Sequence, residues 1–313
     1  MNCLVLGGGG FLGSHLCEGL LQQGYSVRVF EKSFINRNNI AHLLEIIEYM
    51  EGDFSNPVHI QEALKGIDII FHLISTTTPK DSNDNPVYDI TTNLISTIQL
   101  LDLSVKERVK KVIFYSSGGT VYGIPRIIPI QEEHPKDPIC SYGIHKLTVE
   151  KYLQLYHHLY GLDYAILRIS NPYGERQRPT GKQGVVAVFL NKAIKKEAIE
   201  IWGDGSVVRD YLYVTDVISA TMKILNYEGK YKIFNIGSGI GLSLKDILYN
   251  IEQVMGYPID VKYLPGRKLD VPANVLDISR ISIELSWSPA VGFYEGLKQT
   301  NNYLTSELLD KQK

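Results

Sequence analysis

The chain has 313 residues, 44% of them hydrophobic, and a formal net charge of −2. That length suits two ordinary domains, or one domain with a large appendage, and the apolar share is enough for a substantial core. Balanced charge and a pI near 6.5 argue against a polyanionic partner such as nucleic acid.

Short apolar runs alternate with segments of helical period. Asn2–Leu6 reads as a buried strand, and Phe11–Gln23 follows with apolar residues at Phe11, Leu12, Leu16, Leu20 and Leu21, the spacing of one helix face. Ser26–Phe30 is the next strand, ending in Glu31, and Ile46–Met50 is a third. Ile67–Leu73 is a fourth strand, interrupted only by Asp68 and His72. Pro86–Val105 predicts a long helix, Lys111–Ser116 a strand, Ser141–Tyr160 a second long helix and Tyr164–Ile169 a sixth strand. Strands alternating with helices imply a parallel sheet covered on both faces. The near-continuous apolar character of the strands fits burial on both sides. After about residue 170 the pattern is less regular, with loops rich in Gly, Pro and charge at 174–184, 203–206 and 264–272. The fold expected is α/β: a doubly wound, parallel-sheet Rossmann domain over 1–170, then a smaller mixed α/β substrate lobe over 171–313, some of whose segments return to the first sheet.

The three cysteines, Cys3, Cys17 and Cys140, form no C-x-x-C pair, and the eight histidines show no H-E-x-x-H spacing. Neither a disulfide framework nor a metal site is expected. Glycine arrives too early after Met1 for a signal-peptide apolar region, and no stretch approaches the roughly 20 apolar residues of a membrane span. A cytoplasmic, soluble protein is the expectation.

The first strand runs directly into Gly7-Gly8-Gly9-Gly10-Phe11-Leu12-Gly13. Glycines at 7, 10 and 13 give G-x-x-G-x-x-G between a strand and a helix. Glycine permits the tight turn, the close approach of backbone to a pyrophosphate and close helix–sheet packing. The helix start then offers N–H groups to phosphates. Glu31, at the end of the second strand, is placed to accept from both ribose hydroxyls and would repel a 2′-phosphate, which favours NAD over NADP. Asp53, after the third strand, either accepts from the adenine amino group or serves as a helix cap or turn residue ahead of Pro57.

Tyr142 and Lys146 open the second long helix four residues apart, so both lie on one helical face. A free tyrosine has a pKa of about 10, and acting as a base near neutrality requires a drop of about 3 pH units, or about 4 kcal/mol. A neighbouring ammonium and a positive nicotinamide ring together supply such a drop. Among 20 tyrosines the spacing alone is weak, but Phe114-Tyr115-Ser116-Ser117-Gly118-Gly119-Thr120-Val121-Tyr122-Gly123 stands upstream at a strand end.

With these residues the whole chain resembles the extended short-chain dehydrogenase/reductases, and within them the UDP-glucose/UDP-N-acetylglucosamine 4-epimerases. Phe71-His72-Leu73, Asn93, Asn171-Pro172-Tyr173-Gly174, Gly184-Val185-Val186, Trp202-Gly203-Asp204-Gly205, Arg209-Asp210-Tyr211, Phe234-Asn235-Ile236-Gly237 and Arg267-x-x-Asp270 carry the resemblance further. It implies that Tyr142 removes the proton of the sugar 4-hydroxyl while the C4 hydride passes to NAD, and that the 4-keto sugar turns over and takes the hydride back on its other face. Lys146 would lower the tyrosine pKa and bind the nicotinamide ribose. Ser117 would hydrogen-bond the reacting oxygen, with Thr120 and Ser116 as the alternative hydroxyls, because Gly118 stands where many epimerases carry theirs. The resemblance adds Phe11, Leu12, Phe54, Leu73, Asn93 and Ser116 to the cofactor site.

Related dehydratases place Asp-Glu directly after the catalytic Thr, and related decarboxylases carry a Glu there. Gly118 and Gly119 transfer no proton, so hydride removal and return is favoured over elimination. For the substrate, the resemblance implies Thr120, Asn171, Val185, the diphosphate-binding arginines Arg209 and Arg267, and Asp270 near the uridine ribose. Leu269 replaces the usual glycine of Arg-x-Gly-Asp, and Arg176, Arg178 and Lys182 read as a solvated loop. Asn274 stands where a bulky tyrosine excludes N-acetylated sugars, so UDP-N-acetylhexosamines are expected alongside UDP-hexoses. The two long helices match those of the family's homodimer. A nucleotide-sugar reductase with the same residues is the main alternative, opposed by Glu31. A non-catalytic NAD-binding regulator is the other, opposed by the intact Tyr142–Lys146 pair.

Overall fold

The computed structural model describes residues 1–180, 183–266 and 271–310. The chain divides into two compact units. The first takes Met1–Gly123, Pro135–Arg168 and Ile218–Phe234, and the second takes Ile124–His134, Ile169–Val217 and the residues from Asn235 on.

The first unit is built on β1 (Asn2–Leu6), α1 (Phe11–Gln22), β2 (Ser26–Glu31), β3 (Glu48–Glu51), α2 (Pro57–Leu64) and β4 (Ile69–His72). Then come α3 (Pro79–Asp84), α4 (Pro86–Asp89), α5 (Ser96–Lys106), β5 (Lys111–Ser117), α6 (Ser141–Tyr160) and β6 (Asp163–Ile169). A seven-stranded sheet runs in the order Ile233–Ile236, β6, β5, β4, β1, β2, β3. β1 pairs in parallel with both β2 and β4, which places Leu6 between Phe30 and His72. Strand order therefore reverses beside β1, and in such sheets ligands bind outside the carboxyl ends at that reversal. The expected doubly wound fold is present, and Gly7, Glu31 and Leu73 all follow from that edge.

Leu4, Leu6, Phe30, Ile70, Val112 and Phe114 lie in one core with apolar residues of α2, α5 and α6. Each fully buried side chain of this kind contributes about 1.5–3 kcal/mol. Among the described residues, no helix is long and apolar enough to cross a membrane.

The expected helix over Pro86–Val105 is present and continuous, but it widens in its middle. Between α4 and α5 the chain makes a π-helical turn, Ile90–Ile95. Thr92 Oγ1 donates to the Tyr88 carbonyl at 2.8 Å, Ser96 Oγ to the Thr91 carbonyl at 3.3 Å and Thr97 Oγ1 to the Asn93 carbonyl at 2.6 Å. Hydroxyls that compete for main-chain carbonyls disturb the α-helical ladder, which apolar periodicity does not register. By contrast, α6 has the expected bounds, ended by Gly161 at φ 72°.

In the second unit, strand Val208–Tyr213 pairs in parallel with Asn171–Tyr173 and Ala273–Asn274 and antiparallel with Gly241–Ser243. A separate parallel pair joins Ile199–Trp202 to Val261–Leu264. The smaller lobe is thus mixed α/β. Asp210, fully buried, accepts from the Ser238 and Leu276 main-chain N–H groups at 2.7 and 3.2 Å and so ties two loops to the central strand.

Candidate active site

The glycine turn is closed to side chains at Gly13 by contact and disfavours them at Gly7 by backbone conformation. A Cβ on Gly13 would lie 2.1 Å from the Gly7 carbonyl oxygen, and Gly7 itself sits at φ 88°. Gly10 caps α1 without any side-chain hydrogen bond, and the first turn, beginning Phe11-Leu12, carries no acidic residue. Main-chain N–H groups at this helix start are therefore presented to a ligand, as an anion requires.

Glu31 stands over the turn. Its Oε2 accepts from the Gly9 N–H at 3.1 Å and its Oε1 from the Lys32 N–H at 3.2 Å. Burial raises its carboxyl above the ordinary range, against the pull of the Lys32 and Gly9 donors. Asn39 Nδ2 donates to the Gly9 carbonyl at 3.3 Å, a support that no motif announces. Asp53 Oδ1 accepts from Ser55 N and Oγ at 2.9 and 2.7 Å, a turn arrangement, while Asn56 caps α2. The Phe54 ring lies in the core against His72, 5.2 Å between centroids, so the ring itself is not a ligand contact. Leu73 N donates to the Leu6 carbonyl at 3.1 Å, which fixes the chain leaving β4 beside the turn. Asn93, on the π-turn, accepts from Thr76 N at 2.9 Å and donates to Thr76 Oγ1 at 2.9 Å.

Tyr142 and Lys146 share one face of α6, with Lys146 Nζ 5.6 Å from the tyrosine ring centroid. The lysine is 3% exposed, and Nζ donates to the Tyr115 carbonyl of β5 at 3.0 Å. Burial lowers its pKa to about 8, with the Asp89 and Glu150 carboxylates opposing the fall. Burial pushes the Tyr142 phenol up to about 12, although a hydrogen bond with the Ser75 side chain pulls the other way. α6 approaches the loop after β5 closely: a Cβ on Gly143 would meet the Thr120 carbonyl at 2.7 Å.

Three hydroxyls lie at the end of β5 and in the loop after it. Ser116 Oγ donates to Glu150 Oε1 at 2.6 Å and is committed to a buried network. There Arg168 Nε and a terminal nitrogen meet Glu150 at 3.0 and 2.6 Å, and the guanidinium also reaches the Tyr122 hydroxyl at 2.9 Å. Thr120 Oγ1 is buried with no hydrogen-bond partner among the described residues. Ser117, the last residue of β5, is half-buried.

In the second unit, Asn171 Nδ2 donates to the Asp210 carbonyl at 3.0 Å. Arg209 donates to the Val208 and Val271 carbonyls at 2.8 and 2.7 Å, and its strand pairs it with buried Asn274. Val185 opens the helix Val185–Ile194 after Gly184, which caps it at φ 85°. Arg267, Asp270, Leu269 and Lys182 lie outside the described residues.

Residues 3–237 match the model of the NAD dependent epimerase/dehydratase family. This chain belongs to that family. A putative UDP-glucose 4-epimerase of Methanocaldococcus jannaschii is 36% identical over 304 residues, 96% of this chain and 97% of that one. The crystal structure of a UDP-glucose 4-epimerase of Thermotoga maritima with UDP-glucose superposes with a TM-score of 0.93 at 37% identity, covering 98% of this chain and all of that one. An Escherichia coli dTDP-4-dehydro-6-deoxyglucose reductase is 33% identical over 307 residues, 94% of each chain.

Within this family chain, several residues around Tyr142 escape motif reading. Ser75, Asp89 and His145 all bear on it. His145 is visible at i+3 from Tyr142, yet its partner Asp89 is 56 residues away in sequence, and no local spacing announces such a pair.

Proposed function

We propose that this chain catalyses the 4-epimerisation of a UDP-sugar, UDP-GlcNAc/UDP-GalNAc and/or UDP-Glc/UDP-Gal, through a transient 4-keto sugar. The observation that carries the reading is the Tyr142–Lys146 pair beside a strand end at Ser117, where the next two positions are the glycines 118 and 119. A phenol base is present, and the acid and base that elimination demands are missing from that segment.

The residues fit a dinucleotide. The backbone-only turn at Gly7, Gly10 and Gly13, with Phe11 and Leu12 opening α1, would hold the pyrophosphate, and Glu31 would take the ribose hydroxyls. Asp53, Phe54, Leu73, Asn93 and Ser116 would line the rest, Phe54 through its main chain and Ser116 behind its bond to Glu150. Bound NAD would supply the hydride acceptor and donor.

Lys146, held cationic by Asp89 and Glu150, would favour the phenolate and grip the nicotinamide ribose. Tyr142 would then take the proton of the sugar 4-hydroxyl and give it back after the sugar has turned. Ser117 would hold the reacting oxygen, with Thr120 as the second hydroxyl, since Ser116 is already bonded. Asn171, Val185, Arg209, Arg267 and Asp270 would bind the nucleotide diphosphate, and Asn274 would admit an N-acetyl group.

Exposed Ile90 and Ile95 on the π-turn and Ile144, Leu155 and Leu159 on α6 support a homodimer through these helices, which sedimentation would register as a doubled mass.

The decisive experiment incubates purified protein with UDP-N-acetylglucosamine and no added NAD, followed by NMR of the sugar. The galacto epimer supports both the reaction and a retained cofactor. A reductase, the reading favoured by the similarity to the E. coli enzyme, would instead consume added NADH or NADPH stoichiometrically with a 4-keto sugar nucleotide.

A further inference from the structure

The turn of α6 that carries Tyr142 rests on a carboxylate that, beyond its charge near Lys146, has no part in the reaction as proposed. Asp89, the last residue of α4, is fully buried. Its Oδ2 lies 2.9 Å from Ser141 Oγ and 2.9 Å from His145 Nδ1. Its Oδ1 accepts from Asn93 Nδ2 at 3.1 Å and from the Thr77 hydroxyl. Burial works to raise this carboxyl, but hydrogen bonds from Thr77, His145 and Ser141 prevail and hold it below the usual carboxylate range. An ionised carboxylate only accepts, so His145 Nδ1 carries a proton. Burial, then the nearby Lys146 ammonium, lowers the histidine pKa against the pull of Asp89, which favours the neutral ring. That ring meets Tyr142 edge-on, centroids 5.1 Å apart and planes at 70°.

The same turn is gripped at its backbone. The Ser141 N–H donates to Asn83 Oδ1 and the Tyr142 N–H to Ser82 Oγ, each at 2.9 Å. First-turn N–H groups have no partner inside their own helix. Here α3 supplies two, and Cys140 Sγ takes the third, from Gly143, at 3.4 Å. The rotation of this turn about its axis is set by residues 75–93 and not by α6 alone.

We propose that Asp89 is a positioning residue for Tyr142, acting through His145 and Ser141 to hold the phenol where the reacting hydroxyl arrives. The inference rests on the epimerase reading for its kinetic test alone.

The test compares Asp89→Asn, His145→Leu, His145→Asn and Ser141→Ala. Asparagine at 145 presents an N–H close to where Nδ1 stands and keeps the bond. Misplacing a reacting group by about 1 Å costs on the order of 100-fold. Asp89→Asn and His145→Leu should lower kcat by about 30-fold or more while KM for the UDP-sugar stays within about twofold. His145→Asn should recover most of the loss. Thermal melts accompany each variant: His145→Leu protein that is folded and keeps wild-type kcat, or loses kcat and KM together, overturns the proposal. If Asp89→Asn does not fold, Ser141→Ala carries the comparison, with a drop of about threefold expected from one lost bond and no drop counting against the idea.

Histidine 15N NMR needs no substrate. The wild-type ring should carry its proton on Nδ1 at pH 7, and Asp89→Asn should shift it to Nε2. A wild-type Nε2–H tautomer overturns the pair. An Nδ1–H tautomer in a protein that turns over no UDP-sugar would overturn the epimerase reading and leave the pair standing.

Discussion

Lys146 donates from Nζ to the Tyr115 carbonyl at 3.0 Å, which joins the first turns of α6 to the strand that ends at Ser117. The ammonium also lies 4.7 Å from the Phe114 ring centroid, in a setting that lowers its pKa to about 8. Below that pH Nζ is protonated and favours the phenolate; above it the charge is lost. Turnover should therefore decline as pH rises through about 8, and Lys146→Met should cut kcat by at least about 100-fold below that pH, with the gap to wild type narrowing above it. A kcat profile that stays level to pH 9.5 would show that this ammonium does not assist the base.

Glu31 predicts cofactor choice. Its two bonds to Gly9 and Lys32 hold the carboxylate over the glycine turn, where a 2′-phosphate would meet like charge. A hydrogen bond to a charged group is worth about 1.5–3 kcal/mol. Glu31→Asn should therefore reduce the NAD-over-NADP preference by about 10- to 100-fold, read from cofactor titrations of refolded apoprotein. An unchanged ratio would place discrimination elsewhere.

The buried pair Arg168–Glu150 predicts stability. Each partner is 1% exposed, and their bonds extend to Ser116 and Tyr122. Removing one charge strands the other, a cost of about 3–5 kcal/mol. Arg168→Leu should fall by that amount in urea denaturation, and the double variant Arg168→Met/Glu150→Leu should recover most of it. Additive losses would mean that the charges do not act as a pair.

The reach of sequence reading follows from where each residue's partners lie. The glycine turn, Glu31 and the bounds of α6 are local: an apolar strand, a required absence of Cβ and a 3.6-residue period are written in neighbouring letters. The π-helical turn inside the Pro86–Val105 helix was not legible, because Thr92, Ser96 and Thr97 spend their hydroxyls on carbonyls of their own helix, and polar letters there look like an ordinary solvent face. Asp89 was not legible either, since its meaning comes from Ser141 and His145, over fifty positions away. Tyr142–Lys146 stood between: the spacing was plain, while the upward push of burial on the phenol depends on the tertiary packing around it.

Asn274 offers the sharpest view of substrate choice. It is 1% exposed and its strand pairs it with Arg209, so a larger side chain here must take space from its packed neighbours. Tyrosine adds several heavy atoms at a filled position, and such overpacking costs about 1–3 kcal/mol, which a thermal melt would register. If the site admits an N-acetyl group, Asn274→Tyr should lower kcat/KM for UDP-N-acetylglucosamine by at least about tenfold relative to UDP-glucose, because one clash of that size separates substrates by about 1–3 kcal/mol. Equal losses on both sugars, tracking the fall in melting temperature, would assign Asn274 to the packing of its strand and leave sugar selectivity to another residue.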